Sequence, residues 1–121
     1  MIISRTPFRI SFAGGGTDLN AFYGKEYGCV TSTAINKYMY IAVHKYFDKN
    51  KILLKYSKTE LVDSLEKVEH PIFREAMRIV GIESGIEITS IADIPSGTGL
   101  GSSCSFTGGV LHALYAYKGK F

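Results

Sequence analysis

The chain has 121 residues, enough for one domain with a core of its own. Hydrophobic residues make up 45% and charged residues 21%, which excludes a disordered or low-complexity polypeptide. The net charge of +3 is spread along the chain without a basic run, so charge alone does not point to nucleic acid.

From Met1 to Pro7 the chain reads as a strand with a polar interruption, too short and too charged for a secretory leader. Phe8, Ile10 and Phe12 alternate, the period of a half-buried strand, and Gly14-Gly15-Gly16 then breaks any regular element. Cys29 to Ile35 and Tyr38 to Phe47 are rich in β-branched and aromatic residues and are read as two further strands. Asp48-Lys49-Asn50 forms a polar turn into Ile52 to Tyr56, the expected hairpin partner of the strand before it. Ser57-Lys58-Thr59-Glu60 has capping-box spacing, with Leu61, Leu65 and Val68 at helical spacing behind it, and predicts a helix. A second helix opens at Pro71, carries Phe73, Met77 and Val80, and stops at Gly81. Ile86 to Ile91 alternates as a strand leading into Asp93-Ile94-Pro95. The last element, about Ser103 to Lys118, is a helix with Phe106, Val110, Leu114 and Tyr117 on one face, and close approach to the sheet accounts for Gly108 and Gly109 inside it.

This order predicts an α+β fold of two layers, with helices on one face of a largely antiparallel sheet. Gly119-Lys120-Phe121 follows the last helix with no closing strand, so the domain reads as cut short. No run of eighteen apolar residues occurs, and Cys29 and Cys104 are too few for a disulfide framework. The expected setting is reducing and cytoplasmic, without a membrane partner.

The most informative stretch is Pro95-Ser96-Gly97-Thr98-Gly99-Leu100-Gly101-Ser102-Ser103-Cys104-Ser105, joining a strand to a helix. Alternate glycines permit positive φ and close approach of a ligand to backbone N–H groups. The helix start adds unsatisfied donors and partial positive charge, which suit an anion. Ser102 and Ser103 can cap the helix, bind a phosphate oxygen or place a hydroxyl on Mg2+. The loop lacks the lysine of the P-loop, and neither Gly-x-Gly pair is followed three positions later by glycine, so the two common nucleotide fingerprints fail. Taken alone, such a turn is read as a connector to a capped helix.

The full string resembles the phosphate-binding motif of the GHMP kinases, the superfamily named for galactokinase, homoserine kinase, mevalonate kinase and phosphomevalonate kinase. Its form is Pro-x-x-x-Gly-Leu-Gly-Ser-Ser, and Cys104 stands where alanine or serine is usual. A second stretch, Thr6 to Asp18, resembles that family's first motif. Arg9 stands where the family has a basic residue near the reacting phosphate, and Thr17-Asp18 matches a pair that galactokinase-like members set against sugar hydroxyls. Gly15-Gly16 replaces the Glu-His of galactokinases. Phe-Ala-Gly-Gly-Gly-Thr-Asp-Leu is similar to bacterial kinases of D-glycero-D-manno-heptose 7-phosphate.

The resemblance implies a ribosomal-protein-like amino-terminal kinase domain over residues 1–121, incomplete, with the carboxy-terminal domain absent. It implies ATP with Mg2+ as cofactors and a sugar phosphate as acceptor, with no nucleic acid. Nucleotide would be held by Pro95, Gly97, Thr98, Gly99, Leu100, Gly101, Ser102, Ser103 and Ser105, and the metal by Ser103. Arg9 is the implied catalytic residue, and Gly16, Thr17 and Asp18 the implied substrate contacts. No Asp or Glu follows Ser105, so the catalytic base is missing, and a second chain or carboxy-terminal half is expected to complete the site. Alone, the chain is expected to bind nucleotide weakly or not at all, and not to turn over. The alternative is a non-catalytic nucleotide- or RNA-binding module on the same fold; the eight tyrosines would suit a stacking platform, but sheet packing explains them as well. His44, His70 and His112 lack metal-ligand spacing and are read as ordinary polar or packed residues.

Overall fold

The computed structural model describes residues 1–120; Phe121, part of the expected domain span and chain end, lies outside the described residues. Five strands form one sheet in the order β1-β2-β5-β3-β4. They are β1 (Ile2–Ala13), β2 (Thr31–Lys45), β3 (Ile52–Lys55), β4 (Thr59–Val62) and β5 (Ile86–Ala92). Every pairing is antiparallel except β3 with β5. A short helix, α1 (Asn20–Tyr23), follows the three glycines, while α2 (Pro71–Val80) and α3 (Ser102–Tyr117) cover one face. The expected two-layer α+β architecture is the observed one.

The core lies between that face and the two long helices. Phe8, Ile41, Val43, Ile52, Leu54, Ile86 and Ile88 are fully buried on the sheet side. Phe73, Met77, Val110, Ala113 and Leu114 meet them from α2 and α3. The ends of α2 are as read: Pro71 occupies the first turn, and Gly81 takes the left-handed conformation (φ 74°) while Ile82 N–H returns to the Met77 carbonyl at 2.9 Å.

Several expectations are corrected. The two strands expected at Cys29 to Ile35 and Tyr38 to Phe47 are one strand, β2. Between the pairs Pro7↔Tyr38 and Arg9↔Ala34, β1 advances two residues while β2 advances four. The polar Asn36-Lys37 interruption is thus absorbed as a bulge opposite a proline that has no N–H to donate. Phe12, placed on the buried face by alternation, is 69% exposed, because the β1–β2 arm runs on past the helices. Ile10 is half-buried as the period requires.

The capping box does not open a helix. Thr59–Val62 is a strand, and it is β4 and β5, not β2, that pair with β3. The only helical segment there is a single 3-10 turn, Leu65–Lys67. Glu60, the acid of the supposed box, points inward at 5% exposure and accepts from the N–H groups of Glu69 (2.7 Å) and His70 (3.2 Å) and from the Tyr56 hydroxyl (2.6 Å). It therefore satisfies backbone donors next to α2, ten residues away at His70. Burial alone would raise the Glu60 pKa, but these hydrogen bonds hold the carboxyl below its usual range. Burial, then the Glu60 hydrogen bond and charge, push the Tyr56 hydroxyl up to about 12.

The two glycines of α3 differ. A Cβ on Gly109 would stand 3.0 Å from Thr6 Oγ1 and 3.3 Å from Ile41 Cγ1, whereas nothing lies within 4 Å of one on Gly108. Close approach thus explains Gly109 and not Gly108. The Ser4 hydroxyl also donates to the Gly109 carbonyl at 2.8 Å, which pins the neighbours that would have to yield. Gly108→Ala is expected to raise stability by about 0.5–1 kcal/mol through helix propensity, and Gly109→Ala to lower it by roughly 1 kcal/mol through overpacking; urea unfolding of the pair measures both. Glu60→Ala is expected to lower stability by about 2–3 kcal/mol, because it orphans buried donors. The folded-state pKa of Glu60 lies below its unfolded value near 4.5, so its contribution is fully present above that pH and is lost as pH falls through the folded value. Glu60→Gln should flatten that part of an acid-unfolding profile.

Candidate functional site

The first sequence motif meets the second through Arg9; Thr17 and Asp18 line a separate cleft. The Arg9 N–H donates to the Leu100 carbonyl at 3.0 Å, tying β1 to the glycine loop. The Arg9 side chain then lies along Gly101, where an added Cβ would come 2.9 Å from its Cγ and 3.2 Å from its Nε. Gly101 is left-handed (φ 71°), as are Gly97 (φ 81°) and Gly99 (φ 73°), so the three alternate glycines are positions that other residues adopt only with strain.

Gly101 is also the N-cap of α3, with no side-chain cap hydrogen bond among the described residues. Capping by Ser102 or Ser103, one of the roles considered for them, is therefore replaced: both are already inside the helix, in its first turn. The consequence favours an anion. The first N–H groups of a helix have no intrahelical acceptor, and no side chain occupies them here. Ser103 is exposed and Ser102 half-buried at this end. Pro95, Ser96, Gly97, Thr98 and Gly99 are exposed, with the Thr98 hydroxyl folded back on the Pro95 carbonyl at 3.3 Å. Ser105 differs from its neighbours: it is 6% exposed, and its hydroxyl donates to the Pro7 carbonyl at 2.9 Å, so it fastens the helix to β1.

The Gly-Gly-Gly-Thr-Asp turn caps the end of β1. Gly14 is left-handed (φ 83°), and a Cβ there would fall 1.9 Å from the Cys29 carbonyl oxygen, so only glycine fits. The Thr17 hydroxyl donates to the Gly14 carbonyl at 2.7 Å and accepts from the Cys29 N–H at 3.1 Å, closing the turn. Gly16 and Asp18 are exposed. Thr17 and Asp18 line a cleft of about 440 Å³ with Tyr23, Glu26, Tyr27 and Val30.

A second cleft, about 530 Å³, opens beside the glycine loop. Its walls include Met39, Tyr56, His70, Ile94 and Phe106, while Ser57, Ser90, Asp93, Ser96 and Ser102 supply polar groups. His70 packs on the rings of Tyr56 (4.8 Å between centroids), Phe73 (4.9 Å) and Phe106 (5.1 Å). Burial pushes its imidazole below the ordinary histidine range, and its Nδ1 is buried with no partner among the described residues. Reading the histidines by metal spacing passed over this wall, because its members come together only through folding. A cleft of about 500 Å³ lined by Asp63, Glu66, Arg78 and Glu83 includes no residue of either motif.

Residues 65–120 match the family described as the GHMP kinases N terminal domain. The chain is 31% identical to D-glycero-alpha-D-manno-heptose 7-phosphate kinase of Campylobacter jejuni over 126 aligned positions, covering 93% of this chain and 36% of that protein. A crystal structure of a D-glycero-D-manno-heptose 1-phosphate kinase from Bacteroides thetaiotaomicron superposes with a TM-score of 0.85 at 21% identity, over 98% of this chain and 42% of that one. Streptococcus pneumoniae phosphomevalonate kinase, solved with phosphomevalonate and AMPPNP, superposes with a TM-score of 0.75 at 21% identity, over 100% and 38%. These two structures share the fold, and the chain spans about two-fifths of their length and about a third of the Campylobacter protein's. By sequence, residues 65–120 thus match the GHMP kinases N terminal domain family, and the chain as a whole carries the fold of the amino-terminal part of the kinases on which it superposes.

Proposed function

We propose that residues 1–121 are the amino-terminal, nucleotide-binding part of a cytoplasmic ATP-dependent sugar kinase, whose acceptor is a hydroxyl of a sugar or sugar phosphate. The observation that carries this reading is the seam at which Arg9 lies along Gly101 and bonds to Leu100. It sets a cation beside a helix start rich in free donors, with the Thr-Asp turn at the end of the same strand. The form of that turn and the name of the Campylobacter relative both support a heptose 7-phosphate as acceptor.

In this reading the loop from Pro95 to Ser103 cradles the phosphates by its backbone N–H groups, and the aromatic cleft beside it takes the base. Asp18 accepts a hydrogen bond from the sugar hydroxyl. That oxygen forms a bond to the γ-phosphorus while the bond from the γ-phosphorus to the bridging oxygen breaks, releasing ADP, and the hydroxyl proton passes to a base supplied from outside this chain. Arg9 offsets the charge that develops on the transferred group.

The described residues hold no group of three or more His, Cys, Asp or Glu suited to a metal ion. Mg2+ is commonly held by nucleotide phosphates with few protein ligands, and in this reading Ser103 offers the hydroxyl. Bound there, Mg2+ would neutralise phosphate charge. No helix among the described residues is long and apolar enough to cross a membrane, and both cysteines are free thiols.

The isolated chain is expected to bind Mg2+-ATP weakly at best and to show no turnover. Ser103→Ala should weaken Mg2+-ATP binding roughly tenfold, the effect of losing about 1.4 kcal/mol, as read by calorimetry. A well-folded chain that binds single-stranded RNA and not Mg2+-ATP would replace this reading with the non-catalytic one.

A further inference from the structure

We infer that Ser11 is a positioning residue that holds the Arg9 guanidinium at the seam between the glycine loop and the Gly-Gly-Gly-Thr-Asp turn. The inference rests on the kinase reading for its purpose and on geometry for its substance. Three contacts bound the Arg9 side chain. Its backbone N–H is fixed to the Leu100 carbonyl at 3.0 Å, and its aliphatic part lies on the bare backbone of Gly101. Its Nη1 donates to the Ser11 hydroxyl, two residues along the same strand and therefore on the same side.

Ser11 also stands beside the other loop. A Cβ added to Gly15 would lie 3.8 Å from the Ser11 Cβ, so the turn that carries Thr17 and Asp18 begins next to this serine. One hydroxyl thus stands between the loop assigned to the phosphate donor and the turn assigned to the acceptor. A long cationic side chain left untethered loses rotamer freedom when it engages a phosphate; a neutral hydroxyl on a strand removes part of that loss in advance without neutralising the charge. An aspartate at this position would hold the guanidinium more firmly but would repel the phosphate it faces.

The test uses this chain, first without ligand. In 15N-resolved NMR spectra the Arg9 Nε–H signal should be dispersed in the wild type, collapse to the free-arginine position in Ser11→Ala, and stay dispersed in Ser11→Thr, which keeps the hydroxyl and suits a strand. In chemical-shift titrations with ATP and ADP, Ser11→Ala should lower affinity for ATP roughly fivefold while changing that for ADP less than twofold; Ser11→Thr should retain the wild-type ratio. An Arg9 signal indifferent to Ser11→Ala, or equal losses for both nucleotides, would overturn the inference even with nucleotide bound. A wild-type chain that responds to single-stranded RNA and to neither nucleotide would instead overturn the kinase reading, while the ligand-free spectra still decide whether Ser11 positions Arg9.

Discussion

The hydrogen bond from the Arg9 N–H to the Leu100 carbonyl joins the first strand to the glycine loop, the two parts of the chain that carry the candidate site. It can form only because the loop turns left-handed at Gly97, Gly99 and Gly101, and because Gly101 has no side chain to collide with Arg9. The same glycine ends the loop and starts α3, so the backbone that makes room for a cation also presents the uncapped N–H groups to which an anion would bind. Positive side chain and helix start are thereby brought together by sterics, and neither needs a neighbouring charge to hold it.

Around that bond the fold repeats one device, a small hydroxyl residue that fastens one element to the backbone of another. Ser4 bonds to the Gly109 carbonyl and Ser105 to the Pro7 carbonyl, both in buried or half-buried surroundings where such bonds are less exposed to competition from water. Together with the close contact at Gly109 they fix how far α3 slides along β1, and hence where the loop meets Arg9. The ion pairs contribute less: Lys67 with Asp63, and Arg78 with Glu66 and Glu75, lie on the surface, where such pairs are weak.

Elements with local signals were legible in the sequence. Pro71 and Gly81 bound α2, the alternation of Ile86 and Ile88 marks β5, and the glycine-serine string marks the approach to α3, each through chemistry contained in a few residues. What the sequence concealed was set by partners far along the chain. The bulge that makes β2 continuous depends on Pro7 across the sheet, and the inward turn of Glu60 depends on donors at Glu69 and His70. Local spacing therefore offered a capping box where the structure builds a strand. The candidate site divides the same way: its loop residues could be read directly, but the meeting of Arg9 with Gly101, the place of Ser11 and the cleft wall of Tyr56, His70 and Phe106 required the fold.

The fastening hydroxyls span nearly the whole chain, with Ser4 and Gly109 separated by 105 positions in sequence and Pro7 and Ser105 by 98. Contacts of such separation carry a large loop-closure entropy and form slowly relative to hairpins and single helices. During synthesis, the first strand must wait for α3 to emerge before its inner face is covered, since the earlier helix α2 packs mainly on α3 and not on β1. The glycine-serine loop is consequently assembled at the end of folding and not at its start. A partly made chain already possesses Arg9, the glycine turn and most of the sheet, yet it has no site.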